Sequence, residues 1–325
     1  MTDTIVRRWD DFGAPNLSGS KTLSAILDAV LVNGYGDKAG LGWTKPFGTA
    51  SGVHVYQMPA GTPGYFLRVD DNAWKVDATW RYAKVTSYES MSDINTGTGK
   101  APLPTTPDRF EAFGTWFYGK IGSTRGAWII LAGQGWFHLI CEMHNGDPAL
   151  PLDKALGHSH GGNAGHYYGL LHDTSQSDAY AIALSRGVGT LASTNIYYYI
   201  QCSHLMGDGR IFIHRASDQA SGCISALSRS LYMNGPCNTR YPNNRGLIMT
   251  DNVKVIDYYR DANALPFEYR GTIPLVSVAL HDAISMYNAG VRSLDTIVKD
   301  GVTYLCLFMP ITSATPLCCF FALSY

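Results

Sequence analysis

Charge is scarce in this sequence. Asp, Glu, Lys and Arg make up 16% of its 325 residues, while 46% are hydrophobic; a quarter charged is usual for a globular chain. The 25 basic and 26 acidic residues leave a net charge of −1, which gives no electrostatic footprint for nucleic acid or an anionic membrane surface. No apolar run approaches the length of a membrane span. Met1–Asp11 is polar and charged rather than signal-like, so the expectation is a soluble product made in a cytoplasm. The seven cysteines include no CxxC pair and no zinc spacing, which argues against a structural zinc site. No internal repeat of fixed period occurs, and almost no helical periodicity follows residue 34.

What is abundant points to sheet. Gly (34) and Tyr (20) are frequent, a turn-rich and aromatic-rich mixture suited to strands and to adhesive interfaces. The length permits one large β-rich domain or two ordinary ones, with enough chain for a core. A surface so poor in charge is expected to be covered in part by neighbouring subunits.

One short helix stands out near the start. Leu23, Ile26, Leu27, Val30 and Leu31 follow the i, i+3, i+4, i+7, i+8 spacing of a buried face. Ser20 is the expected N-cap and Gly34 the expected C-cap. The segment before it reads as an extended arm, and "GWTKPF" (42–47) reads as an aromatic-proline turn. Residues 1–48 therefore form an N-terminal arm and helix whose expected role is docking on a neighbour, through Trp9, Leu23, Ile26, Leu27, Val30 and Leu31. Residues 49–325 form a β-rich body with a candidate division near 145–178.

In the body, "GVHVYQM" (52–58), "GYFLRVDD" (64–71) and "WRYAKVTSYES" (80–90) read as strands separated by turn clusters. In the third, Ala83 and Val85 share one face, opposite Trp80, Tyr82, Lys84, Thr86 and Tyr88. "TWFYGKIG", "AWIILAG" and "GWFHLICEMH" (115–144) are dense enough in apolar residues to form a central sheet, and 145–178 reads as irregular. Later runs include "AYAIALS", "GRIFIHRAS", "LIMTDNVKVIDYY" and the terminal "PLCCFFALSY", with a long loop at 233–246. "DTIVKDGVTYLCLFMP" (295–310) is a hairpin turning at Asp300-Gly301. The fold class is mainly β, a sandwich or barrel-like body with one short helix.

Few motifs invite chemistry. Gly157-His158-Ser159-His160-Gly161 matches G-x-S-x-G, and Asp257 or Asp261 with His281 would complete a serine-hydrolase order. The preceding "DPALPLDKAL", with two prolines and two charges, is not the buried strand that such an elbow requires. His158, His160 and His166 could share a metal ion, in one chain or around a symmetry axis; no other cofactor is indicated. Asp70-Asp71 with Asp77, and Asp208, lack the alternation of a calcium loop and read as solvated turn residues. Tyr197–Tyr199, Tyr167-Tyr168 and Trp116-Phe117-Tyr118 could stack on sugars, though core packing is the plainer account.

The stretches "GAPNLSGSKTLSAILDAVLVNGYG" (13–36), "GWTKPF" (42–47), "YFLRVDD" (65–71) and "YESMSDINTGTG" (88–99) resemble a family of tailed-bacteriophage virion proteins encoded among head and tail structural genes. The likeness returns in "YRGTIPLVSVALHDA" and "LDTIVKDGVTYLCLFM" (269–309). It implies a non-enzymatic subunit of the tail, neck, baseplate or capsid surface, in a virion assembled in the host cytoplasm. Copies of itself and other virion proteins would be its partners, and no catalytic residue is inherited. A particle leaves the reducing cytosol at lysis, which makes Cys237, Cys318 and Cys319 candidates for disulfides between subunits. The alternatives are a host receptor- or glycan-binding virion protein reading through 145–178, and a hydrolase using Ser159.

Overall fold

The spacing that predicts a helix does form one, but neither end is set by a side chain of its own flanking residues. In the computed structural model the helix α1 spans Thr22–Leu27 and continues as a wider π turn over Asp28–Asn33. Its N-cap is Lys21, in the left-handed region at φ 64 and with no capping side-chain bond, so Ser20 is not the cap. Gly34 closes the other end, its N–H donating to the Ala29 carbonyl at 2.8 Å in the i→i−5 pattern of a π turn. A Cβ at Gly34 would lie 2.5 Å from the Lys38 carbonyl, so only glycine fits there.

The structure describes residues 4–72, 75–76, 80–101, 114–120, 126–142, 163–174, 182–186, 210–213, 223–226, 254–258, 267–274, 276–278, 291, 294–312 and 315–323. In chain order the strands are β1 (Ile5–Arg8), β2 (Thr44–Gly48), β3 (Val53–Gln57), β4 (Phe66–Asp70), β5 (Lys75–Val76), β6 (Trp80–Tyr88), β7 (Ser90–Met91) and β8 (Gly97–Thr98). They continue as β9 (Gly114–Lys120), β10 (Trp128–Gly133), β11 (Trp136–Glu142), β12 (Asn163–Leu170), β13 (Ile182–Arg186), β14 (Arg210–Ile213) and β15 (Cys223–Ala226). The last are β16 (Lys254–Tyr258), β17 (Phe267–Thr272), β18 (Val276–Val278), β19 (Thr296–Lys299), β20 (Val302–Thr312) and β21 (Thr315–Ala322).

The fold is mainly β, with several antiparallel sheets and one short helix. A nine-stranded sheet runs β1-β10-β11-β12-β13-β14-β15-β16-β17, and a four-stranded sheet runs β18-β21-β20-β19. A six-stranded sheet contains β2-β3-β4-β6-β5 with β9 on β6, and β7 pairs β8 alone. Every pairing is antiparallel. A bridge between His172 and Thr272 brings β17 back against the chain leaving β12. The long sheet curls in this way without closing into a barrel among the described residues.

The larger core among the described residues joins α1, the six-stranded sheet and β10–β12. It contains Leu23, Ile26, Leu27, Val30, Leu31, Trp43, Tyr56, Leu67, Val69, Trp116, Trp128, Ile130, Phe137, Leu139 and Tyr168. Ile129 and Leu131, alternating with the core residues of β10, are buried as well. That strand is covered on both faces, which is why its sequence is an unbroken apolar run rather than an alternating one. In β6, Ala83 and Val85 face this core, while Tyr88 joins Val55 and Phe66 in a second cluster covered by Met91 and Ile94 of the β7–β8 hairpin.

Four expectations change. The "GWTKPF" turn contains an edge strand, β2, in which Pro46 falls at a register shift between Thr44 and Phe47; a missing N–H is tolerated at such a place. The arm contains β1, paired with β10 from Ile5/Ala132 to Arg8/Ile129. Residues 163–170 are not irregular but form β12 against β11. Of the expected central trio, β10 and β11 pair in the long sheet while β9 lies in the other. The Asp300-Gly301 hairpin stands as read, with both turn residues at positive φ (51 and 80) and Lys299 paired to Val302.

Candidate functional site

One buried and two half-buried carboxylates gather around α1. Lys21 offers no cap and the first turn carries no acidic residue, so the helix N–H groups need an outside acceptor. Asp71, just past β4, supplies it: its Oδ2 accepts the Ser24 N–H at 3.0 Å, and its Oδ1 accepts the Tyr118 hydroxyl. Asp71 is 0% exposed. Burial raises its pKa above the usual carboxylate value, and the bonds from Tyr118 and Ser24 offset only part of that. The sequence expectation of a solvated turn residue is therefore corrected. A long-range cap cannot be read from a local Asp-Asp pair.

Two further carboxylates hold the same region. Asp28, where α1 gives way to the π turn, accepts the Tyr56 hydroxyl at 2.9 Å and Lys45 Nζ at 2.7 Å, with His54 Nδ1 at 3.4 Å. Burial alone would raise its pKa, but the bonds from His54, Lys45 and Tyr56 outweigh that and hold it below the usual value. Asp11 accepts the Arg8 N–H and the Tyr35 hydroxyl, each at 2.8 Å, and pairs with Lys38 at 2.5 Å. Here too burial is outweighed, by Lys38, Arg8 and Tyr35, and the pKa is lowered. Each carboxylate is occupied by donors of its own chain. The chemistry this permits is clamping: β1, α1, β2, β3 and β9 are tied together through three acceptors.

The residues assigned to docking lie elsewhere than expected. Leu23, Ile26, Leu27, Val30 and Leu31 are each 0% exposed within this chain's core, so their side chains cannot also face a neighbour. The helix is amphipathic because it packs on the chain's own sheets. Trp9 is half-buried, with the Arg8 guanidinium 5.2 Å over its ring. Sequence reasoning missed Phe12, which is 85% exposed. Asp11 anchors the turn that carries it, and its carbonyl abuts Gly36 so closely that a Cβ there would sit 2.2 Å away.

Of the candidate metal ligands, His166 lies in β12 at 1% exposure, its ring stacked on Trp116 with centroids 5.2 Å apart. So placed, it cannot meet histidines of other copies at a surface axis. His158 and His160 lie outside the described residues, as do Ser159, Asp261, His281 and Cys237. Among the described residues no group of three or more His, Cys, Asp or Glu side chains is arranged to hold a metal ion. Cys318 and Cys319 lie in β21, in register with Phe308 and Leu307; Cys141 and Cys306 are buried free thiols. Trp116, Tyr118, Tyr167 and Tyr168 are all buried, which settles those aromatics as core. Tyr197–Tyr199 lie outside the described residues.

No protein-family model matches the chain, and no curated protein does. Among the described residues, no helix is long and apolar enough to cross a membrane.

Proposed function

We propose that this chain is a non-enzymatic structural subunit of a tailed-bacteriophage particle, a tail, neck, baseplate or capsid-surface component that associates with its own copies and with other virion proteins. The observation that carries the reading is how the stretches bearing the family resemblance are used. Gly13 and Gly36 approach backbone to backbone, a Cβ on Gly13 falling 2.9 Å from the Gly36 N. In "YESMSDINTGTG", Asp93 Oδ1 accepts the Asn95 and Thr96 N–H groups at 2.7 and 2.9 Å, and Gly97 packs against the Ser90 carbonyl. Arg68 then pins the hairpin through the Ile94 carbonyl and Asn95. The residues of these stretches serve turns and close backbone approaches, which suits a part whose work is its shape.

The test is direct. Particles purified on a density gradient from a lysate carrying this gene should contain the chain at a fixed ratio to the major capsid protein, by quantitative mass spectrometry. Its recovery only in the soluble fraction would end the proposal. In a soluble protein, glycan-array binding would favour the receptor reading, and a fluorophosphonate adduct on Ser159 the hydrolase reading.

A further inference from the structure

Some sheet edges in this chain are closed by the chain itself. Along the outer edge of β1, the Thr4 N–H donates to the Leu323 carbonyl, the Val6 carbonyl accepts the Arg7 guanidinium, and the Arg8 N–H donates to Asp11. β2 is blunted by Pro46 and its register shift. Such devices stop further strands from adding.

Among the described residues β19 carries neither device. It ends the four-stranded sheet. The two-residue turn makes Lys299 and Val302 the closing pair, and the Asp295 carbonyl accepts the Cys306 N–H at 2.9 Å. Residues 295, 297 and 299 therefore bond inward to β20, and alternation turns the backbone N–H and C=O of Thr296 and Val298 outward. Those groups bond to nothing among the described residues. Both side chains are exposed, Val298 to 72%.

We infer that β19 pairs with β19 of a second copy, antiparallel about a two-fold axis at Ile297, joining the two four-stranded sheets into one. An isologous contact of this kind must be self-complementary, and this strand is. With the axis at Ile297, Thr296 of each copy faces Val298 of the other, so the outward groups form two bonded pairs, each exchanging both of its hydrogen bonds. The same register sets Lys299 opposite Asp295 of the second copy, on both sides of the axis, with Ile297 against Ile297 between them. Moving the axis to Thr296 or Val298 also pairs outward groups. It would set Lys299 against Ser293 or Ile297, and the ionic pairs would be lost. Charge therefore selects one register. Lys299 already donates to Asp300 at 2.5 Å, and in the dimer it stands between that carboxylate and the second copy's Asp295.

The inference deepens the reading of a self-associating subunit and rests on that part of it. A four-residue edge covers less area than a standard interface. Pairing is accordingly weak in dilute solution and fills at the local concentration of an assembly.

Sedimentation velocity of the full chain over a concentration series tests it. The mass should rise from 35.5 kDa toward twice that value with concentration. Asp295→Lys and Lys299→Asp should each weaken association by about tenfold or more, and the double exchange should restore it. Oxidation of Ile297→Cys should give a 297–297 disulfide between copies, mapped by mass spectrometry, and Val298→Cys should give no 298–298 counterpart, because only residue 297 faces its own copy. A chain that stays monomeric throughout the series overturns the inference. So does association indifferent to both charge reversals, which would place the self-contact elsewhere and leave the virion reading standing. Absence from purified particles would end that reading without touching the edge pairing measured in solution.

Discussion

The Asp71 carboxylate caps a helix that begins well before it in the chain, accepting the Ser24 N–H across 47 residues at 3.0 Å. The cap is held from behind by the Tyr118 hydroxyl of β9. Helix, β4 and β9 thus meet at one acidic side chain that water does not reach.

Removing that acceptor leaves two buried donors without a partner. Asp71→Ala should destabilise the fold by roughly 2–3 kcal/mol, the cost of an N-cap together with an orphaned hydroxyl. Asp71→Asn keeps an acceptor and sheds the buried charge, so it should cost clearly less. Urea midpoints at pH 7, with unchanged m-values, would check the order; equal losses would mean that the charge, not the cap, matters.

Acid should act on the carboxylates with opposite signs. The native pKa of Asp28 is lowered, so its contribution is present above about pH 4 and is lost as pH falls through the native value. Asp28→Asn should therefore show its deficit at neutral pH and a shrinking one as the medium is acidified toward the native value. The native pKa of Asp71 is raised, so the folded state holds that proton more tightly, and stability is given up as pH rises through the native value. The deficit of Asp71→Asn should be largest in acid and smallest at neutral pH. Denaturation series from pH 3 to 8 on both variants provide the comparison, and parallel curves would refute it.

Three glycines grade the backbone argument. A Cβ at Gly36 (φ 56) would meet the Phe12 carbonyl at 2.2 Å; at Gly301 (φ 80) or at Gly119 it would meet nothing within 4 Å. Gly36→Ala should cost about 3 kcal/mol or more, combining strain with a backbone clash. Gly301→Ala should cost about 1 kcal/mol from the positive φ alone. Gly119→Ala should stay within about 0.5 kcal/mol. Thermal melts of the three would show whether the order holds.

Deleting residues 1–36 should abolish cooperative unfolding. Sequence patterning implied a separable docking arm, but the deletion removes β1 and the buried face of α1 from the shared core. A milder probe is Leu27→Ala, expected to cost about 3 kcal/mol. A soluble truncation with a sharp melt would show that the core closes without the helix.

Local chemistry made some of this legible and distance hid the rest. The hairpin at Asp300-Gly301 could be read because its turn type depends on two adjacent residues. The helix could be read because its period is internal to it. β2 was hidden by Pro46, which a bulged edge tolerates and a central strand does not. β12 was hidden because "NAGHYYGL" has no alternation; its partner β11 and the layers on both sides make it a strand. The helix face was seen but given to the wrong partner, since periodicity tells that a surface is buried and not by what. Asp71, Asp28 and Asp11 were missed for a related reason: each acquires its role from donors brought by other elements.

Ile5 pairs with Ala132, and this sets a timetable for the newborn chain. The first strand and the greasy helix behind it leave the ribosome long before β10 exists to receive them. At ordinary translation rates the wait is on the order of ten seconds. During it, Leu23, Ile26, Leu27, Val30 and Leu31 lie open to any passing apolar surface. Chaperone demand during synthesis is therefore written into the topology, and expression at lowered temperature or with added chaperone should raise the soluble yield.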